Sequence, residues 1–397
     1  MTDHQSDSRR DVADVRAAKA LAASRRSEIA SFIVMDVMRA AAAREAAGHR
    51  IVHMEVGQPG TPAPRGAREA LVRALDRNPL GYTQALGMPE LRARIARHYR
   101  DTYAVDVPAG RIVVTAGSSA AFVLAFLALF DAGDRVALPQ PGYPCYRHIL
   151  SALGCRPVLL DTGPATRWMP TPEQIAAVPE PLAGLLVASP ANPTGTMLEP
   201  ERLRGLIDAC RARGMWFIAD EIYHGLSYGA PATTALAVSD DVVVINSFSK
   251  YFSMTGWRVG WMVVPEPLVR PIEKLAQNLY IAPPTASQVA ALGAFDSLDE
   301  LEANRRVYAD NRALLLAGLP TVGFAEIVPA DGAFYLYCDV SRLTTDSEAF
   351  ARQMLDETGI AATPGVDFDA VRGGRFIRFS YSGRTPDMAD ALERLSR

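Results

Sequence analysis

The chain has 397 residues, 49% of them hydrophobic, and 41 Lys and Arg against 44 Asp and Glu give a formal net charge of −3. That length exceeds one ordinary domain and supplies a sizeable core, so one large and one smaller domain are expected. A near-balanced charge gives no general attraction to nucleic acid or to acidic membranes. The longest apolar run, Ala120 to Phe130, is about half the ~20 residues that a membrane span requires. The first ten residues, Met1 to Arg10, are polar and lack the apolar core of a signal peptide. Cys145, Cys155, Cys210 and Cys338 form no C-x-x-C pair and no disulfide framework. Reduced thiols in a cytoplasmic protein are the expectation.

Residues 1–24 alternate Asp, Arg and Ala and read as a tail or a loosely held helix. A helix is predicted over 31–48, with Phe32, Met35, Val37 and Met38 among alanines and Gly48 as its stop. A strand over 51–56 ends at Gly57-Gln58-Pro59-Gly60. From Ala67 onward strands and helices alternate. The pattern gives a strand at 111–115, a wholly apolar helix at 120–130, and short strands at 135–138, 157–160 and 185–188. An amphipathic helix over 199–213, stopped by Gly214, precedes a strand at 216–220. The β-branched run 241–246 reads as a further buried strand. Such alternation means a mostly parallel sheet covered on both faces. After about residue 295 the pattern changes to a long charged helix through Tyr308, a β-rich segment and a terminal helix from Pro386. The expected division is a tail (1–24), the N-terminal part of a small domain (25–54), a large domain (55–295) and the C-terminal small domain (296–397).

In open α/β sheets ligands bind beyond the carboxyl ends of the strands, and the polar motifs fall there. The richest is the stretch from Ser247 to Trp261, directly after the strand at 241–246. It delivers Lys250 just past a strand end, with Ser247 and Ser249 before it and Arg258 eight positions after. A buried lysine of lowered pKa forms Schiff bases with carbonyls. Hydroxyls and a guanidinium beside it suit a phosphate. Pyridoxal phosphate (PLP), a carbonyl cofactor with a phosphate tail, meets both requirements. Lys250 alone would read as a surface loop residue, but Trp257, Val259 and Trp261 are too apolar for a solvated loop.

Four other motifs occupy comparable positions. Thr115-Ala116-Gly117-Ser118-Ser119 joins a strand to a helix start, where N–H groups and the helix dipole favour an anion; a plain Gly-Ser-Ser helix cap reads equally well. Pro141-Gly142-Tyr143-Pro144 and Ser189-Pro190-Ala191-Asn192-Pro193-Thr194-Gly195 are tight turns after strands. Asp220 ends an apolar run and is costly to bury unpaired; its partner is either a core arginine or a ligand cation. Arg378 lies in the strand Arg375 to Ser380, whose alternation puts Phe376, Arg378 and Ser380 on one face. An arginine there either points outward or holds a carboxylate.

The S-x-S-K-x-x-S-x-x-G-x-R-x-G pattern of residues 247–260 resembles the lysine region of the class I/II, fold-type I PLP-dependent aminotransferases. The resemblance begins near Ser27 and runs to the C-terminus. It implies an α/β fold, with a mostly parallel, seven-stranded-type sheet covered by helices and a smaller α+β domain. By the same resemblance Lys250 carries PLP as an internal aldimine, Asp220 faces the pyridine nitrogen, and Tyr223 and Asn192 reach the phenolic oxygen. Tyr143 stacks on the ring. Gly117, Ser118, Ser119, Ser247, Ser249 and Arg258 hold the phosphate, with Ser118 standing where the family often has a second glycine. Tyr82 resembles the tyrosine that crosses from a neighbouring subunit, which implies a homodimer. Arg378 takes the substrate α-carboxylate, with Asn192 nearby and Gly57 closing over the same end.

The implied activity is amino transfer between an L-amino acid and a 2-oxo acid. A C–S lyase or another elimination or replacement enzyme of the same fold would use the same residues. A transcriptional sensor would need a DNA-binding domain ahead of the fold, for which a 24-residue tail is too short. P-loop, H-E-x-x-H, G-x-S-x-G and G-x-G-x-x-G motifs are absent. The six histidines show no metal-ligand spacing, His224 reads as a polar neighbour of Tyr223, and no metal is expected. No second cation for a side-chain carboxylate is identified from Gln277 to Ile281 or elsewhere, and Phe334-Tyr335 leans toward an apolar or mixed side chain.

Overall fold

The computed structural model describes residues 23–397, so the tail expected over 1–24 lies almost wholly outside the described residues. In chain order, helix α1 (Ile33–Ala46) and strand β1 (Val52–His53) lead into α2 (Arg65–Leu75) and α3 (Pro89–Tyr103). Seven strands follow: β2 (Ile112–Thr115), β3 (Arg135–Gln140), β4 (Arg156–Asp161), β5 (Gly184–Ala188), β6 (Trp216–Asp220), β7 (Val243–Ser247) and β8 (Gly260–Val263). Helices α4 (Ser118–Leu129) and α5 (Pro144–Leu153) follow β2 and β3. The remainder supplies β9 (Glu326–Ile327), β10 (Tyr335–Asp339), β11 (Ile360–Ala361), β12 (Thr363–Pro364) and β13 (Phe376–Ser380), with long helices between them.

Strands β2 to β8 form one sheet in the order β2-β8-β7-β6-β5-β3-β4. All neighbours are parallel except β8, which runs antiparallel to both β2 and β7. The inner strands are largely apolar because both faces are covered, whereas the edge strand β4 exposes Arg156, Leu159 and Asp161. Successive residues point to opposite faces, so Leu185, Phe217, Val244 and Trp261 pack on one side with Leu91, Ile95, Tyr99 and Phe248. Leu186, Ile218, Ile245 and Met262 pack on the other with Phe122, Phe126 and Leu150. The predicted apolar helix over 120–130 is α4, which lies in this second cluster and needs no polar face.

Strands β12-β13-β10-β9 form a separate antiparallel sheet, and β1 pairs in parallel with β11. Leu336, Cys338, Ile377 and Phe379 of this sheet share a core with Tyr308, Leu315 and Met388, and also with Val52, Met54 and Tyr223. The strand predicted over 51–56 is only two residues long. The chain leaves the ladder after His53, and the Glu55 carbonyl is taken by Thr363 and Arg378 side chains instead. The charged helix predicted to end near Tyr308 continues to Gly318, because Asn311 and Leu315 also face the core.

Register places the polar strand ends in one row. Thr115 pairs with Gly260, Gly260 with Ser247, and Asp220 with Ala188. Phe248, immediately past β7, is fully buried and meets the rings of Phe252, Trp261 and Phe295 at centroid separations of 4.8, 5.0 and 5.5 Å. It anchors the lysine-bearing loop to the core. Phe248→Ala is expected to destabilise the protein by about 3–5 kcal/mol, measured by chemical denaturation; a loss below about 1 kcal/mol would show that the loop does not depend on this anchor.

Candidate active site

Lys250 follows β7 and projects into a cleft between the two larger sheets. Its ammonium donates to the Gly57 carbonyl at 2.6 Å and lies 5.8 and 6.0 Å from the ring centres of Tyr223 and Phe334. Part of the side chain is open to solvent, while the ammonium itself is closely surrounded by protein. This desolvation, reinforced by the positive charges of Arg378 and Arg258, lowers its pKa to about 8. Asp220 pulls in the opposite direction without cancelling the effect.

Asp220 ends β6 and is buried. Its partner is not a core arginine: the Tyr146 hydroxyl donates to one carboxylate oxygen, and the Ile222 N–H donates to the other at 3.0 Å. Burial raises the Asp220 pKa to about 6 despite these donors and Lys250. Sequence reasoning missed Tyr146, although it sits on the helical face of Tyr143, three residues earlier, a spacing that brings side chains together. The two rings meet edge-on at 5.2 Å.

Arg378 comes from β13 and is buried between the rings of Tyr335 and Phe368, at 4.3 and 4.7 Å. It does not point outward. Its Nη1 donates to Asn192 Oδ1 at 2.8 Å, and its Nη2 donates to the Glu55 carbonyl and to Thr363 Oγ1. The Nε is buried with no partner. Tyr223 and Tyr335 share a hydroxyl–hydroxyl hydrogen bond of 2.6 Å. Gly57 admits no side chain, since a Cβ there would collide with the Tyr335 hydroxyl.

A second group of residues gathers at the start of α4. Gly117 adopts φ +79°, and a Cβ on it would run into the Arg258 guanidinium. Ser118 and Ser119 open α4, where the first N–H groups have no helical acceptor. Ser247 Oγ donates to Ser249 Oγ at 2.9 Å. Gly260 is required here too: a Cβ would crowd the Asn246 carbonyl, at 2.9 Å, and the Ser118 nitrogen, at 3.1 Å. Gly117 thus lies against Arg258, and Gly260 brings the start of α4 at Ser118 against the strand end that carries Ser247 and Ser249. Tyr82 stands apart, 85% exposed on a loop.

His224 is neither exposed nor free. Its Nε2–H donates to the Ser189 carbonyl at 3.0 Å, so Nδ1 accepts from the Tyr103 hydroxyl at 2.9 Å. Burial keeps the ring neutral, with a pKa near 3.

The family model for aminotransferase class I and II matches residues 50–395. The chain belongs to the class I and II aminotransferases. The valine–pyruvate aminotransferase of Mycobacterium tuberculosis is 50% identical over 374 residues, covering 93% of this chain and 96% of that protein. A solved aminotransferase structure from the same organism superposes with a TM-score of 0.93 at 49% identity, covering 94% of this chain and 98% of that one. The Thermus thermophilus aspartate aminotransferase, solved with maleate, gives a TM-score of 0.90 at 30% identity, with 95% and 99% covered. These neighbours establish the α/β fold of fold-type I for this family member. Among the described residues no helix is long and apolar enough to cross a membrane.

The raised Asp220 pKa has a consequence for stability. A carboxyl whose folded pKa, about 6, lies above the ordinary ~3.9 favours the folded state at low pH. That contribution is lost as pH rises through 6. Asp220→Asn cannot ionise, so the apoprotein variant should gain stability relative to wild type between pH 4 and pH 7, by about 1–3 kcal/mol. Denaturation curves at the two pH values check this, and a difference that does not change with pH would refute it.

Proposed function

We propose that the chain is a PLP-dependent aminotransferase that moves an amino group between an L-amino acid of apolar side chain and a 2-oxo acid. The observation that carries this reading is the Lys250 amine, of lowered pKa, held in one cleft with the buried Asp220 carboxyl and the Arg378 guanidinium, whose hydrogen-bond partners are all uncharged. The residues fit the cofactor. The Gly117 cradle, the open N–H groups of α4, two serine hydroxyls and Arg258 suit a phosphate dianion. Tyr143 offers a ring face, Asp220 an acceptor for a pyridinium N–H, and Tyr223 and Asn192 polar groups for a phenolic oxygen. When bound, PLP supplies an aldehyde carbon that takes up amino groups and a ring that withdraws electrons.

The protein's own groups do the rest. Arg378 pairs with the substrate carboxylate, two N–H groups against two oxygens, and its aromatic walls keep water from competing. Gly57 lets the chain approach that end closely, because no Cβ stands between it and Tyr335. Lys250, with a pKa near 8, is close to the working range of a base that removes the Cα proton. Tyr146 keeps the Asp220 carboxyl oriented. The apolar preference is supported by the valine–pyruvate relative and by the rings of Phe334, Tyr335 and Tyr143 around the cleft. The division into a large PLP-binding domain (55–295) and a small domain (25–54 with 296–397) is part of the same proposal. So is a cytoplasmic location.

Lys250→Ala is expected to lower amino transfer from L-valine to pyruvate by about 10²–10⁴-fold or more, and a variant as active as wild type would end this reading. The exposed Tyr82 supports a homodimer in which it completes the partner's phosphate site. Mixing Tyr82→Ala and Lys250→Ala proteins under conditions of subunit exchange should therefore restore activity, because one site in each mixed dimer keeps both residues. Recovery no greater than the sum of the separate proteins would argue against a shared site.

A further inference from the structure

Asp367 touches neither Lys250 nor Asp220 and acts on Arg378 only through its charge, yet its side chain is buried and both carboxylate oxygens are committed. Oδ1 accepts the Ile33 N–H at 3.3 Å and Oδ2 accepts the Val34 N–H at 3.2 Å, across more than 330 residues of sequence. Helix α1 lacks a side-chain cap of its own, since its N-cap residue is Phe32. The carboxylate therefore replaces the missing cap from elsewhere in the chain, where the helix dipole favours a negative charge. Held in this way, Phe32 meets the Tyr143 ring edge-on at 5.6 Å. Tyr143 in turn meets Tyr146, the residue that donates to Asp220.

The same loop reaches the other side of the cleft. Phe368, next to Asp367, covers the Arg378 guanidinium at 4.7 Å. The Asp367 carbonyl accepts from Arg147 at 2.6 Å, on the helix that carries Tyr146. One short segment thus sets the position of Phe32, the cover on Arg378 and the orientation of α5. The segment that covers Arg378, where a substrate carboxylate would bind, therefore also holds the Phe32 ring against Tyr143.

We propose that Asp367 is a positioning residue that clamps the start of α1 as a wall of the cleft, and that the Phe32 ring it holds in place selects amino acids with bulky apolar side chains. The selection rests on the aminotransferase reading; the clamp does not. The test uses the PLP-loaded enzyme and measures the donor half-reaction with L-valine and with L-alanine, without acceptor. Phe32→Ala should lower kcat/KM for valine by about tenfold and for alanine by less than about twofold, since one or two methylenes carry that much discrimination. Asp367→Asn should shift the valine-to-alanine ratio the same way. It should also reduce hydrogen-exchange protection of the Ile33 and Val34 amides by about tenfold or more, because its amide nitrogen cannot accept the second N–H. Equal losses for both donors, with the ratio unchanged in Phe32→Ala, would overturn the selection. Unchanged amide protection in Asp367→Asn would overturn the clamp. A wild-type enzyme inert toward every amino donor would instead refute the aminotransferase reading and the selection with it, while the exchange measurement would still decide the clamp.

Discussion

Three cations, Lys250, Arg258 and Arg378, bear on one cleft in which Asp220 is the acid that acts on the lysine. Their mutual repulsion, added to desolvation, is what lowers Lys250. The same excess of positive charge is what makes the cleft a receptor for anions. Arg258 presents it at the Gly117 end, and Arg378 at the other, where its partners are a carbonyl, a hydroxyl and an amide oxygen. None of these carries a charge, and the buried Asp367, whose carboxylate feels the guanidinium, forms no ion pair with it; a buried charge without a paired counter-charge is expensive. A carboxylate entering from solution removes that expense. The feature that tunes the base and the feature that binds the substrate therefore have one physical origin.

The sheet makes this concentration of charge possible. Parallel strands end at a common edge, so β6 and β7 deliver Asp220 and the Lys250 loop side by side. The reversal of β8 matters as much. Because it runs antiparallel between β2 and β7, the chain that leaves β7 with Lys250 returns to the same edge with Arg258 and Gly260. Gly260 then packs against the α4 start without a Cβ to hold it off. Arg378 must come from outside this sheet, and the antiparallel β10–β13 pair supplies it together with Tyr335, whose ring covers it.

Much of this was legible in the sequence, for identifiable reasons. Six of the seven large-sheet strands are short apolar runs, most of them bounded by glycine or proline, and were assigned from that pattern; β8 (Gly260–Val263) was not, because it continues the lysine motif without a break. Lys250, Asp220, Asn192 and Gly117 each stand immediately after such a run, so the topology alone brings them to one edge. The edges of the second sheet were less legible: β1 is short because the Met54 carbonyl turns to the Ser380 N–H of β13 and the Glu55 carbonyl to side chains. Thr363 and Phe368 were missed because nothing local marks them, and Tyr146 because its spacing from Tyr143 shows only that the two meet, not that it reaches Asp220. Each matters through a residue on another element, 74 positions away for Tyr146 and Asp220 and 15 for Thr363 and Arg378. Asp367 is the extreme case, a cap whose helix lies at the opposite end of the chain.

Asp220 and Glu221 are adjacent acids, both buried, and the structure holds them in different surroundings. Asp220 receives a hydroxyl on one oxygen and an N–H on the other, and feels Lys250. Glu221 receives the Ala235 N–H and the Thr234 hydroxyl on a single oxygen, while its second oxygen has no partner. Burial and the neighbouring Asp220 charge push it up to about 8, well above Asp220 at about 6. Its closest titratable neighbour, His224, cannot supply a proton, because its Nε2–H is engaged by the Ser189 carbonyl and its Nδ1 by Tyr103. Burial thus favours the neutral form of Glu221 more strongly than that of Asp220, which alone of the two has Lys250 to favour its charge. Two charges on consecutive residues would repel and raise both pKa values; a neutral Glu221 leaves the single negative charge on the side chain that faces the lysine.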